Sequence, residues 1–263
     1  MNEPIYNSIG NNYNINRVAD SRITENIIEL LGLNPGSVIA DIGAGTGNYS
    51  NALADLGYKI KAIEPSEEMR GQAKPNDHVT WLAGTAELIP LPDDSVDGVM
   101  LILSIHHFSS LKDASEEAHR ICPNGPAVVF TLDPREADDL WFKCYFPQIH
   151  QKDFNDFPPI ETVADTMAMN EKWTWEITPF PLPADLTDKN MYSAWNEPER
   201  YFDLQFRQNT SGLAKANQDM VEKGLEKLEA DLESGVWDDR YGYLRKAKAF
   251  DAGFRFLKLE RKE

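Results

Sequence analysis

Asp41 heads a glycine run, Asp41-Ile42-Gly43-Ala44-Gly45-Thr46-Gly47, and Glu64 stands at the end of the next apolar stretch. Glycines let backbone groups approach a ligand closely, and a carboxylate at a neighbouring strand end can take both hydroxyls of a ribose in a two-pronged hydrogen bond. The pair therefore points to a ligand that contains a nucleoside. The dinucleotide fingerprint G-x-G-x-x-G would need a glycine where Asn48 stands, and here the third glycine comes one residue early, at Gly47. Asp41, just before the loop, would repel a pyrophosphate and attract an ammonium. The spacing favours a nucleoside carrying positive charge over a nicotinamide dinucleotide.

A second set of residues bears on proton chemistry. His106-His107 follows the apolar run VMLIL, and an imidazole with a pKa near ~6.5 suits removal of a proton from a nucleophile. The alternative is that the rings pack at a strand end and hydrogen-bond backbone. Aromatic residues crowd positions 140 to 206, among them Trp173, Trp175, Tyr192, Trp195, Tyr201 and Phe202. They read as a hydrophobic core, with one or two lining an apolar pocket or facing a cation. Arg200 and Arg207 read either as a clamp for an anionic substrate or as surface arginines. Cys122 and Cys144 are the chain's two cysteines and lack CxxC or Cys/His ligand spacing, so neither a disulfide framework nor a metal site is expected.

These residues need elements to hold them. Ile23, Ile27, Leu30 and Leu31 lie at helical spacing before the breaker Asn34-Pro35-Gly36, and Ser37 to Ile42 reads as a buried strand that ends at the glycine run. Tyr49, Leu53 and Leu56 give a helical stripe closed by Gly57, and YKIKAIEP a strand ending at Glu64. Strands follow at HVTWLAG, VDGVMLIL and PAVVFTL, with the helix LKDASEEAHRIC between the last two. Strands alternating with helices predict a parallel sheet covered on both faces. Beyond Asp133-Pro134 the alternation is lost. KWTWEITPFPLP reads as a strand, Val221, Leu225, Leu228 and Leu232 as an amphipathic helix, and GFRFLKLER as a last strand pairing antiparallel at the sheet edge.

The 263 residues suit one core with an elaboration, and 41% hydrophobic residues suffice to build it. With 26 Lys plus Arg against 43 Asp plus Glu, the net charge of -17 repels phosphate backbones and anionic lipid, so nucleic acid and membrane are not expected as partners. No signal peptide or run of ~20 apolar residues is present, which predicts a cytoplasmic protein.

Across residues 13 to 133 the chain resembles the class I S-adenosylmethionine-dependent methyltransferases, motif after motif in order. ADIGAGTG resembles their first motif, AIEP their second, GTAELIPLPDDSVDGVMLILSIHHF their adenine-side loop and fourth strand, and EEAHRICPNGPAVVFTLDP their following helix and fifth strand. Pro123-Asn124-Gly125-Pro126 departs from their usual turn. The resemblance implies an α/β, Rossmann-like three-layer sandwich with a mostly parallel seven-stranded sheet, last strand antiparallel, and a helical lid. It further implies a cap segment over 1–20, a cofactor-binding core over 21–134, a lid over 135–240 holding one core edge strand near 172–180, and a C-terminal edge strand over 241–263.

For the site it implies S-adenosyl-L-methionine as cofactor, with S-adenosyl-L-homocysteine as product. Gly43, Ala44, Gly45 and Gly47 would pass under the methionine part, Asp41 would hold its amino group, and Glu64 with Pro65 would meet the ribose. Thr85, Ala86 and Glu87 would flank the adenine, where many relatives carry Asp directly after the glycine and this chain carries Thr85. Leu103 and Ser104 would offer backbone groups, and Tyr13 and Arg17 would face the methionine carboxylate from a segment that resembles a cofactor cover. The expected partner is a small-molecule substrate, methylated on O, N or C, with the chain a monomer or homodimer. The alternative is a non-catalytic adenosylmethionine-binding module of the same fold. Arsenite-type chemistry is disfavoured by the cysteine count.

Overall fold

The computed structural model describes residues 18–137, 139–169 and 173–262. Helix α1 (Ser21–Leu31) starts where the Asp20 side chain accepts from Arg22 N and stops where Gly32 turns left-handed, and it buries Ile23, Ile27 and Leu31. Strand β1 (Val38–Ile42) then leads through the glycine turn into α2 (Asn48–Asp55), and β2 (Lys59–Ile63) into the short α3 (Glu67–Gly71). The stripe expected to include Leu56 ends one residue sooner. Leu56 caps the helix and is exposed, because Gly57 at φ 93° turns the chain away toward β2.

Strands β3 (Val79–Leu82), β4 (Gly98–Ile102) and β5 (Ala127–Leu132) follow, with α4 (Leu111–Ile121) between the last two. Beyond β5 come α5 (Phe142–Tyr145), α6 (Pro147–Asp156), α7 (Ile160–Met167), β6 (Trp173–Pro179) and β7 (Leu182–Pro183). Then α8 (Leu204–Gln208), α9 (Ser211–Ala214), α10 (Gln218–Glu233) and α11 (Val236–Tyr241) precede β8 (Ala249–Phe250) and β9 (Phe254–Arg261). The main sheet has seven strands in the order β3-β2-β1-β4-β5-β9-β6. The pairs among the first five are parallel, and β9 runs antiparallel to both of its neighbours.

The last strand therefore has the expected direction but not the expected place. It lies inside the sheet, and β6 takes the edge. Burial explains the order: Phe254 through Leu257 of β9 are buried, whereas Thr174, Trp175 and Glu176 of β6 face solvent. Phe130 of β5 sits at the centre, with the Phe254, Phe256 and Phe180 rings 4.5 to 5.6 Å from its own. Each such fully buried ring contributes about 1.5 to 3 kcal/mol of hydrophobic stabilisation.

The lid has its own aromatic centre. Trp141, fully buried, meets the Tyr201 and Trp237 rings edge-on at 5.3 and 5.7 Å and donates from Nε1 to the Trp195 carbonyl at 2.7 Å. Two polar latches tie lid to core. Asp133, just after β5, accepts from Ile160 N at 2.8 Å and Arg135 N at 3.0 Å. Asp20 accepts from Thr187 N at 2.9 Å while Arg22 reaches Asp185 at 2.5 Å. No helix among the described residues is long and apolar enough to cross a membrane.

Candidate functional site

The parallel register of β1 and β2 sets Ile42 beside Ile63, so the chain turns out of both strands at the same end of the sheet. Gly43, Gly45 and Gly47 all adopt left-handed backbone, at φ 76°, 58° and 77°. A Cβ on Gly43 would lie 2.5 Å from Ser104 Cβ, and one on Gly47 would strike the Trp81 ring at 2.6 Å. These two glycines let the turn lie flat against β4's end and β3. A Cβ on Gly45 would meet only Met69 Cε, at 3.6 Å, so the middle of the turn presents bare backbone. Gly43 N and Ala44 N both donate to the Ile63 carbonyl, which pins the turn to β2.

Two buried carboxylates frame this turn. Glu64, 7% exposed, accepts from Ser66 N through Oε1 at 2.8 Å and from Gly45 N through Oε2 at 3.0 Å. Burial raises its carboxyl above the usual range, opposed by those two donors and by Arg70. Asp41 accepts from Ser50 Oγ at 2.5 Å, and burial pushes its carboxyl up to about 7 against that hydrogen bond, with the charge of Glu64 adding to the rise. Two buried acids, the charge of one disfavouring ionisation of the other, beside bare backbone form a site that a positively charged ligand would relieve.

The remaining expected cofactor residues divide. Leu103, directly after β4, holds φ 52°, a conformation that costs a branched side chain energy and that clusters at functional sites. Ser104 is buried and donates to the Ile42 carbonyl at 2.9 Å, joining the β4 end to the glycine turn. Thr85 bridges to Leu88, Ala86 is buried, and Pro65 is exposed. Glu87 turns its Oε1 toward Ser109 N, Ser109 Oγ and Ser110 N at 2.7 to 3.2 Å, holding the segment that leads into α4. Tyr13 and Arg17 lie outside the described residues.

A cavity of about 370 Å³ opens between the β4 and β5 ends and the lid. Leu103, His106, His107, Leu132 and Phe254 line it from the core, and Ile149, Asp153, Asn190, Tyr192 and Lys215 from the lid. Both histidines thus share one wall. Their rings stand 3.8 Å apart in the 3-10 turn Ile105–His107, and His106 also lies 4.1 Å from Phe157. His107 keeps an open edge, yet burial first and then Lys215 push its pKa down to about 4, leaving the ring neutral at physiological pH.

Lys152, Asp153, Asn190 and Lys215 were not singled out from sequence. Lys152 and Asp153 neighbour each other on α6, but Asn190 and Lys215 lie far along the chain, and only packing of the lid brings the three places together. Of the aromatics weighed, Tyr192 reaches the cavity, while Trp195 and Tyr201 are buried in the lid, and Trp175 and Phe202 are partly exposed. Arg200 pairs with Glu197 at 2.7 Å and Arg207 donates to the Tyr201 carbonyl at 2.6 Å, so both serve their own segment and not a substrate clamp.

The methyltransferase domain family matches residues 40–130, the stretch from β1 to β5. A solved structure from Anabaena variabilis, described as a candidate methyltransferase from an antibiotic biosynthesis pathway, is 46% identical. It covers 92% of this chain and 98% of its own, with a TM-score of 0.89. The chain belongs to the class I methyltransferase family. The ubiquinone/menaquinone biosynthesis C-methyltransferase of Rubrivivax gelatinosus is 35% identical over 92 residues, 34% of this chain and 37% of that one. The malonyl-[acyl-carrier protein] O-methyltransferase of Yersinia pestis is 30% identical over 139 residues, 52% of each. The methyltransferase chain thus spans about half the length, or less, of these curated relatives. The family's methyl donor is S-adenosylmethionine, and the residues present fit it: the bare backbone of Gly45 and the unrelieved acid pair suit a cationic amino-acid nucleoside.

Proposed function

We propose that this methyltransferase moves a methyl group from S-adenosylmethionine to a small molecule seated in the lid cavity. The observation that carries the reading is the junction at Leu103-Ser104. Leu103 lines the cavity, and Ser104 touches the glycine turn through Gly43 and Ile42. Cofactor groove and cavity therefore meet at one strained strand end. When bound, the cofactor supplies an electrophilic methyl on a sulfonium.

The chain's own residues do the rest. The Gly43–Gly47 turn gives backbone contacts and Asp41 faces the cofactor's amino group. Glu64 has one lone pair left on each oxygen for ribose hydroxyls once its backbone donors are served. Ala86 packs toward the base, and Glu87 holds the α4 entrance. His107, neutral, accepts a hydrogen bond from the acceptor molecule at the cavity wall, with His106 packed behind it. The lid encloses the cavity and limits water, which keeps the acceptor oriented for in-line attack.

Calorimetry with S-adenosylhomocysteine tests the cofactor half of the proposal, and binding in the micromolar range or tighter is expected. Labelled-methyl transfer from S-adenosylmethionine into a metabolite extract tests the other half. A labelled product supports the enzyme, whereas binding without any product would leave the non-catalytic module as the better reading.

A further inference from the structure

The lid cavity holds two polar groups whose bonding is incomplete. Tyr192 Oη donates to Asp153 Oδ2 at 2.6 Å, and no donor within the described residues reaches Asp153 Oδ1. Asn190 spends its Oδ1 on Tyr192 N at 3.0 Å, an arrangement that fixes the amide's orientation, and its Nδ2 is buried with no hydrogen-bond partner among the described residues. Asn190 is 7% exposed, so solvent does not serve that donor. Buried polar groups in folded proteins are nearly always paired, and an orphaned one in a cavity wall marks where a ligand supplies the partner. Leu132, Ile149, Met191 and Phe254 line the same cavity with apolar surface.

Charge narrows the class of ligand further. Lys152 and Lys215 both line the cavity, both disfavour the protonated form of His107, and burial first and then Lys152 lower the pKa of Lys215 itself. A ligand ammonium would enter against these two charges, and the acidic groups among the described lining residues are Asp153 and Asp156, the latter paired to Lys152. Asp153, in turn, disfavours a carboxylate beside it. Burial pushes its own carboxyl up to about 6, with Asp156 adding to the rise, so it is ionised at neutral pH and acts as an acceptor.

We propose that this cavity selects a small uncharged molecule with an apolar body and a hydroxyl group, the hydroxyl donating to Asp153 Oδ1 while a ligand oxygen accepts from Asn190 Nδ2. It rests on the methyltransferase reading only in taking the cavity as the acceptor's seat. Asp153 is then a residue that determines acceptor class, while Tyr192 occupies its other oxygen.

Met191 and Met220 line the cavity and report its occupancy directly. Their carbon-13 methyl resonances, followed in the full chain saturated with S-adenosylhomocysteine, are titrated with para-propylphenol, its ether para-propylanisole and the cation para-propylbenzylamine. The phenol is expected to shift both signals and to bind at least fivefold more tightly than the ether or the amine. Asp153→Asn, which keeps an acceptor for Tyr192, should level phenol and ether. Tyr192→Phe keeps the carboxylate and should preserve the preference. Equal binding of phenol and ether, preference for the amine, or unmoved methionine signals with all three probes would overturn the proposal. Failure of the methyltransferase reading shows separately, as absence of S-adenosylhomocysteine binding by calorimetry.

Discussion

Asp41 carries a conflict between stability and binding. Its carboxyl is raised to about 7 in the fold against an ordinary value near 3.8, so the folded protein holds a proton there that the unfolded chain releases between those values. The stabilising contribution is complete below the unfolded value and is lost as pH rises through about 7. Asp41→Asn should therefore raise the thermal midpoint of the ligand-free protein at about pH 8, measured by calorimetry. A cationic ligand favours the ionised carboxylate, so binding releases a proton, and S-adenosylhomocysteine affinity should rise with pH through about 7, flattening in Asp41→Asn. A pH-independent affinity in the wild type would count against Asp41 as the amino-group partner. Glu64→Ala strips the acceptor from Ser66 N and Gly45 N as well as from the ligand. A loss of about 1 to 3 kcal/mol in cofactor binding is expected by titration calorimetry.

At the scale of elements, the insertion of β9 between β5 and β6 is what closes the sheet behind the cavity. Gly253, at φ 88°, makes the entry to β9 possible, because a Cβ there would lie 2.3 Å from the Asp133 carbonyl oxygen. Gly253→Ala should cost about 2 kcal/mol or more in denaturant unfolding, from backbone strain and the clash together. Asp133→Ala leaves Ile160 N and Arg135 N without their side-chain acceptor and should cost about 1 to 3 kcal/mol by the same measurement. The strands themselves were readable as apolar runs, and β1 to β5 lie where those runs predicted. The pairing of the last two was not. GFRFLKLER and KWTWEITPFPLP both alternate, and which becomes the edge depends on the faces that α7 and the lid cover. Leu56 shows the same limit, since helical spacing places it on the apolar stripe and the turn at Gly57 removes it.

For the molecule as a whole, the net charge of -17 sets a self-repulsion that salt screens. Raising ionic strength from low salt toward about 0.3 M should raise the thermal midpoint, at about 2 to 4 °C per kcal/mol gained. The same titration should leave the ranking of the residue variants unchanged, because their partners are buried. The latch at Asp20 behaves oppositely to Asp41. Burial alone would raise its carboxyl, but hydrogen bonds from Arg22 and Thr187 hold it down to about 2, so its contribution is present above the ordinary value and is lost only as pH falls through about 2.

What the residues alone determined was the strand-end half, the groove proposed for the cofactor and the histidines beside it. The turn Asp41 to Gly47, Glu64 after the second strand, and His106-His107 after the fourth are local signals, because each sits within a few residues of a strand end and the parallel sheet gathers strand ends by rule. What only the tertiary structure decided was the cavity proposed for the acceptor. Asp153, Asn190, Tyr192 and Lys215 meet through lid packing between elements far apart in the chain. The orphaned Asn190 amide and the left-handed Leu103 exist only once that packing is made. Side-chain burial and backbone strain are properties of the assembled fold, and no spacing in one dimension encodes them.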